Sequence, residues 1–177
     1  SYSYNGYWAD IGNIKSFFEA NLSLTDTIPD FNLFDERNQV YTRPRLLAPA
    51  KITGTRLNKV LVAEACMINA ELIERSVIGI RSRIGQGTVI KNTIVIGNYY
   101  IQRLDELIVG PNDIPLGIGN NCYIENAIID RDCQIGNNVV IKGHDELEDV
   151  ENDMFCIKDG IVVIKKGQII THGTIIE

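Results

Sequence analysis

Ser76-Val77-Ile78-Gly79-Ile80-Arg81-Ser82-Arg83-Ile84-Gly85-Gln86-Gly87-Thr88-Val89-Ile90 carries the periodicity that decides the fold. Ile78, Ile84 and Ile90 recur every six residues, and Ile96 extends the series. Two residues ahead of each stands Ser76, Ser82, Thr88 and Ile94, mostly small or β-branched, and glycine follows at Gly79, Gly85 and Gly97. This period is neither helical nor the two-fold alternation of an ordinary strand. Each hexad supplies one short parallel strand and one corner of a triangular prism, so three hexads close a coil. The aliphatic residue points inward onto its counterpart in the next coil, and glycine or asparagine takes the unusual backbone angle of the corner. Stacking then pairs every strand's backbone with its neighbours, except at the two ends.

The repeat resumes at Ile118-Gly119-Asn120-Asn121, passes Ile124, Ile129, Ile135 and Ile141, and closes on Ile164, Ile170 and Ile176. The spacing slips to five between Ile124 and Ile129. Self-similarity of this extent indicates a solenoid, and the expected fold is mainly β, a left-handed parallel β-helix from about residue 60 to 177. Two insertions interrupt it. One at about 98–117 holds Tyr99, Tyr100, Pro111 and Pro115; an acidic one at about 142–156 is expected to be a solvated loop. Ahead of the prism, residues 25–59 form a connector broken by Pro29, Pro44 and Pro49. Residues 1–24 read as a strand-like aromatic stretch, Tyr4-Asn5-Gly6-Tyr7-Trp8, and then an amphipathic helix. Ile14, Phe17, Phe18 and Leu22 lie on one helical face, and Asn13 is placed to cap it.

The net charge of −6 and the pI near 5.0 argue against general nucleic-acid or membrane-surface binding. No apolar run approaches the ~20 residues that span a bilayer, and no secretory leader is read. The chain is expected in the cytoplasm, or in the plastid if its source is a plant. Cys66, Cys122 and Cys133 sit in apolar rows and read as buried free thiols; two histidines, His144 and His172, are too few for a three-histidine metal site. The opening Ser1-Tyr2-Ser3-Tyr4 enters strand-like sequence at once, as expected for a piece of a longer protein.

A hexapeptide prism hosts several activities, so the flanking motifs carry the functional reading. Gly6-Tyr7-Trp8-Ala9-Asp10-Ile11-Gly12 and the following helix resemble the segment closing the catalytic domain of sugar-1-phosphate nucleotidyltransferases. Tyr41-Thr42-Arg43-Pro44-Arg45, Pro115-Leu116-Gly117-Ile118-Gly119, Ala127-Ile128-Ile129-Asp130 and Gly160-Ile161-Val162-Val163-Ile164 resemble ADP-glucose pyrophosphorylases (glucose-1-phosphate adenylyltransferases) in particular, nearest the plant and cyanobacterial branch. The resemblance implies an enzyme that turns ATP and glucose 1-phosphate into ADP-glucose and pyrophosphate for glycogen or starch synthesis. It also implies Mg²⁺, a homo- or hetero-tetramer, and control by a phosphorylated metabolite. This chain would be the C-terminal regulatory and oligomerisation part, with 1–24 closing the catalytic domain, and would be inactive alone because no glycine-rich nucleotide loop appears in it.

Asp10 is the catalytic and metal candidate, by resemblance one of two aspartates that hold Mg²⁺ beside the reacting phosphates; a helix-entry aspartate is the plainer reading. Trp8 is expected in a core. Arg43, Arg45, Arg131 and Lys165 are the candidates for an effector-anion site, each alone also readable as a solvated surface charge. The competing functions are a hexapeptide acyltransferase, which needs a histidine base that His144 is poorly placed to supply, a guanylyl- or uridylyltransferase tail, and a purely structural assembly module.

Overall fold

Isoleucine stacks on isoleucine through most of the chain, and the backbone follows. A computed structural model describes residues 1–37, 39–107 and 113–177. Its core is a three-sided parallel prism. One side runs Lys51–Ile52, Met67–Ile68, Arg83–Ile84, Gly117–Ile118, Gln134–Ile135 and Ile169–Ile170, each paired with the next. The other two sides come from the longer strands Arg56–Val62, Leu72–Ile78, Val89–Val95 and Tyr123–Ile129, each turned once near its middle. Their first halves, joined by Val140–Lys142 and Ile175–Ile176, form the second side. Their second halves, joined by Ile161–Ile164, form the third.

The turn within each long strand explains the five-residue slip. Arg75, Asn92 and Asn126 sit there at φ 43°, 41° and 50°, a left-handed conformation that reverses direction with a single residue. A small residue follows each of them, and Ser76 and Thr93 return their hydroxyls to the carbonyls of Glu74 and Lys91, at 2.7 and 2.6 Å. Inward residues are therefore spaced six, six and five in coils of 17 residues, as in the pairings Ile73↔Ile90, Ile118↔Ile135 and Ile124↔Ile141, while the earliest coils take 16, as in Ile52↔Ile68 and Ile68↔Ile84. The corner after the first side works differently. The side-chain oxygen of Asn120 accepts the N–H of Gln86, that of Asn137 accepts the N–H of Asn120, and Nδ1 of His172 accepts the N–H of Asn137, each at 2.8 Å. Glycine is required beside this ladder: a Cβ on Gly85 would lie 2.4 Å from Oδ1 of Asn120.

Ile78, Ile84, Ile90, Ile124, Ile135 and Ile141 all point inward, at most 1% exposed, as expected. Ile96 does not. Val95 takes the inward place at 5% exposure, and Ile96 packs outside. The small residue two places ahead is then Thr93, in line with Ser76, Ser82 and Thr88, so the rule of a small residue at that position marks the register better than a fixed count of six. Parallel pairing also starts earlier than expected, at Lys51 within the supposed connector, where Lys51 and Ile52 face Met67 and Ile68.

Helix α1, Ile14–Ser23, is capped by Asn13, whose side chain accepts the Ser16 N–H while Ser16 accepts the Asn13 N–H. Its Phe18 and Leu22 bury against Ile94, Ile128 and Ile161 on the outside of the third side. Residues 1–12 join no sheet, and Trp8 is 76% exposed rather than in a core. The first insertion holds a single helical turn, Leu104–Leu107; Pro111 lies outside the described residues. The acidic insertion is more ordered than a loop. Val150–Glu151 and Phe155–Lys158 form a hairpin that pairs antiparallel with Ile161–Ile164, extending the third side.

Cys66, Cys122 and Cys133 are buried free thiols, and burial pushes all three up, Cys133 to about 11. Cys156 is only partly buried. Because the folded state holds the Cys133 proton above the ordinary value near 9.0, the unfolded chain binds fewer protons between pH 9 and 11 and stability falls with rising pH there. Alkylation at pH 8 should accordingly label Cys156 first and reach Cys133 only on unfolding; equal labelling rates for the two would contradict this packing. Ile124→Ala should lower unfolding free energy by about 2–5 kcal/mol in a urea titration, and Ile96→Ala by clearly less; the reverse order would reject the register.

Candidate anion-binding site

A corner of the prism gathers positive charge because successive coils place equivalent residues above one another. Asp132 (φ 58°) and Gly167 (φ 71°) turn the chain from the third side to the first, and the Gly167 N–H donates to the Arg131 carbonyl at 2.8 Å. Arg131 and Lys166, each one residue before a turning position, are thereby stacked. Tyr99, at the start of the first insertion, lies against both. The Arg131 guanidinium carbon is 4.8 Å from the ring centroid and the Lys166 Nζ is 4.7 Å from it. The ring is fixed by its backbone N–H, which donates to Oδ1 of Asp132 at 2.9 Å. Asp130 accepts the Arg131 N–H at 2.7 Å.

Two cations on one ring gain from its negative faces but repel each other. Among the described residues neither forms an ion pair within 4.0 Å. The guanidinium fork and the ammonium therefore remain free to meet an anion, the fork bidentately and the ammonium as a point charge.

The four residues expected at such a site are not in mutual contact. Arg131 is in the cluster. Lys165, one residue from Lys166, turns toward the acidic hairpin, where Nζ meets Oε1 of Glu151 at 3.1 Å and the Asn152 carbonyl at 2.5 Å. That pair is exposed on the Glu151 side, 77%, so it contributes little and opens readily. Arg43 and Arg45 are exposed on the connector and belong to no ion pair among the described residues. Lys166 and Tyr99 were missed. The doubled lysine is visible in the sequence, but which of the two faces Arg131 depends on the turn at Gly167.

Asp10 is exposed, ahead of the Asn13 cap, with its carboxylate near Gly12. A groove of about 470 Å³ separates the start of α1 from the prism, lined by residues 11–14 on one wall and by Ile96, Ile128 and Asp130 on the other. Asp130 adjoins Arg131 in sequence, but Asp10, Arg131, Lys166 and Tyr99 do not themselves line this groove. Neither histidine stands in this site. His172 is the last rung of the corner ladder, and the His144 carbonyl accepts from the Leu147 N–H at the base of the hairpin.

Comparison with known proteins agrees with this architecture. The family model of the GLGC left-handed parallel β-helix domain matches residues 45–175. The glucose-1-phosphate adenylyltransferase small subunit, chloroplastic/amyloplastic, of Triticum aestivum is 40% identical over 181 residues, covering 99% of this chain and 38% of the wheat protein. The chain thus spans well under half the length of that relative.

Inorganic pyrophosphate titrated into the chain should bind at this corner, and Arg131→Ala should weaken it about tenfold, as expected for loss of a charge-assisted contact. Calorimetry showing equal affinity in the variant would remove Arg131 from the site.

Proposed function

This chain belongs to the GLGC left-handed parallel β-helix family, and we propose that it is the C-terminal regulatory and oligomerising part of a glucose-1-phosphate adenylyltransferase. The complete enzyme joins ATP and glucose 1-phosphate into ADP-glucose and releases pyrophosphate, supplying glycogen or starch synthesis. It works in the cytoplasm, or in the plastid of a plant. The observation that carries the regulatory part is the Arg131–Lys166 pair across Tyr99, without an ion pair among the described residues, in a chain of net charge −6.

In this reading a phosphorylated metabolite takes the corner. Arg131 grips phosphate oxygens, Lys165 leaves Glu151 to join it, and Arg43 and Arg45 close from the connector. Such a ligand ties connector to prism, and the connector runs back through α1 to Asp10. Coupling requires that the ligand bind two arrangements of this junction unequally. The groove between residues 11–14 and Asp130 is where such arrangements would differ.

Asp10 would hold Mg²⁺ with its carboxylate. Exposure and the absence of a cation partner among the described residues leave its oxygens available. Magnesium takes six oxygen ligands and commonly keeps waters and substrate phosphates among them, so a single carboxylate from this chain is compatible with it. The bound ion would neutralise charge on the phosphoryl oxygens during transfer. Assembly to a homo- or hetero-tetramer requires more than one kind of contact between subunits when the symmetry is closed and dihedral. Ile169 and Ile175, 53% and 63% exposed, offer an apolar surface for one.

Two substitutions in the full-length enzyme test the two halves of the proposal. Arg131→Ala should weaken activation by a phosphorylated effector at least about tenfold while changing unstimulated turnover far less, the signature of a lost allosteric contact. Asp10→Asn should lower turnover by about a hundredfold or more with little change in melting temperature. Undiminished turnover would make Asp10 a helix-entry residue, and parallel loss of basal and stimulated rates in Arg131→Ala would reassign that arginine to folding.

A further inference from the structure

Arg83 lies on the first side of the prism, one residue before the inward Ile84, and the first insertion closes over it. Two sets of contacts hold the insertion down. The Asn98 side chain donates to the Arg81 carbonyl at 2.8 Å, and the Arg81 guanidinium donates to the Asn98 carbonyl at 3.3 Å. At the far end the Leu116 N–H donates to Oε1 of Gln102 at 2.6 Å, which closes the neck of the insertion. The chain then returns to the first side at Gly117, where a Cβ would lie 2.9 Å from the Arg83 Cβ.

Under this cover Nη1 of Arg83 is buried and has no hydrogen-bond partner among the described residues. No other buried side-chain nitrogen or oxygen among them is left in that condition. The guanidinium forms no ion pair within 4.0 Å among the described residues either. Taking a charged N–H out of water without giving it an acceptor costs free energy. Folded chains rarely keep such a group unless something meets it.

A groove of about 310 Å³ adjoins Arg83, between residues 113–116 and the corner ladder. Its size is at the small end of the range for ligand sites. Arg83 lines it together with Asn120, Asn137 and His172. These three spend their acceptor atoms on the N–H groups of the ladder. What they have left are donors: the NH₂ of each asparagine side chain and, because Nδ1 of His172 accepts, an N–H at Nε2. Asp113 is the single acidic residue on the lining. The groove thus offers one guanidinium and a row of N–H donors. We propose that it binds a small anion through carboxylate or phosphate oxygens, with Arg83 holding the charge and the ladder donating to the remaining oxygens. Arg131, Lys166 and Tyr99 do not line this groove, so binding here is independent of the effector corner and of the adenylyltransferase reading.

The test uses the 177-residue chain carrying R131A and K166A, which removes the other cationic site. Calorimetric titration with inorganic phosphate, and separately with malonate, at ionic strength fixed with sodium chloride, should give one binding event. Adding R83M should weaken it at least about tenfold, as expected for loss of a charge-assisted contact. R83K keeps the charge without the fork and should fall between the two. Binding of phosphate alone assigns the site to phosphates and binding of malonate alone to carboxylates; either result supports the proposal. Melting curves add a reading that a purely structural arginine would not give. Without ligand, R83M should melt at or above the temperature of its parent, because it removes a buried charge that lacks a partner. Saturating anion should raise the melting temperature of the parent and leave that of R83M unchanged. No binding of either anion up to about 10 mM overturns the proposal. So does equal affinity in R83M, or ligand-free R83M that melts clearly below its parent.

Discussion

Everything in this molecule depends on one requirement: each coil must present its N–H and C=O groups level with those of the next. Buried backbone groups that miss their partners are expensive, and in a prism of short strands a slip of one residue would both break the pairing and turn an isoleucine outward. The 17-residue coil satisfies the requirement because one corner is made by a single left-handed residue and the others by longer turns. Once the coils are level, equivalent residues stack in columns. The isoleucine core, the Asn120–Asn137–His172 ladder and the cation pair are three results of that one geometry.

Columns also explain how a chain of ordinary composition builds a local site. Arg131 and Lys166 are far apart in sequence, yet a turn at Gly167 sets one on the other, and the insertion that begins after the third side delivers Tyr99 to both. The insertions leave at corners, where the ladder of hydrogen bonds is already interrupted, so they add surface without disturbing the core. One becomes a cover for the first side; the other becomes a hairpin that holds Lys165.

The core was legible in the sequence for a physical reason: buried isoleucines tolerate neither polarity nor a change of phase, so six of them announce the prism. Asn13 was legible because a cap has a local signature. Ile96 misled because an aliphatic residue on the outer surface, covered by α1, has the same composition as one inside. Trp8 misled because an aromatic residue beside a helix packs only if something stands opposite, and among the described residues it stays 76% exposed. The family resemblance named Arg131 and Lys165, but the choice between Lys165 and Lys166 rests on a corner angle that no spacing rule supplies. The start of the prism at Lys51 was hidden because a two-residue strand leaves almost no pattern.

Beyond the first, shorter coils and outside the insertions, a coil of 17 residues gives the prism the character of a ruler. Removing or duplicating one 17-residue unit, as between Ile118 and Ile135, joins residues that already occupy the same place in cross-section. The ladder, the core and the corners would all continue unbroken, and only the height would change, by about 4.8 Å. A one-residue deletion within a strand has no such escape, whereas the corner from Ile68 to Ile73 is already one residue shorter than that from Ile84 to Ile90. The height between the first strand at Lys51 and the last coil is therefore adjusted most simply in whole steps, and evolution or design working on this fold would move its attachments by whole coils.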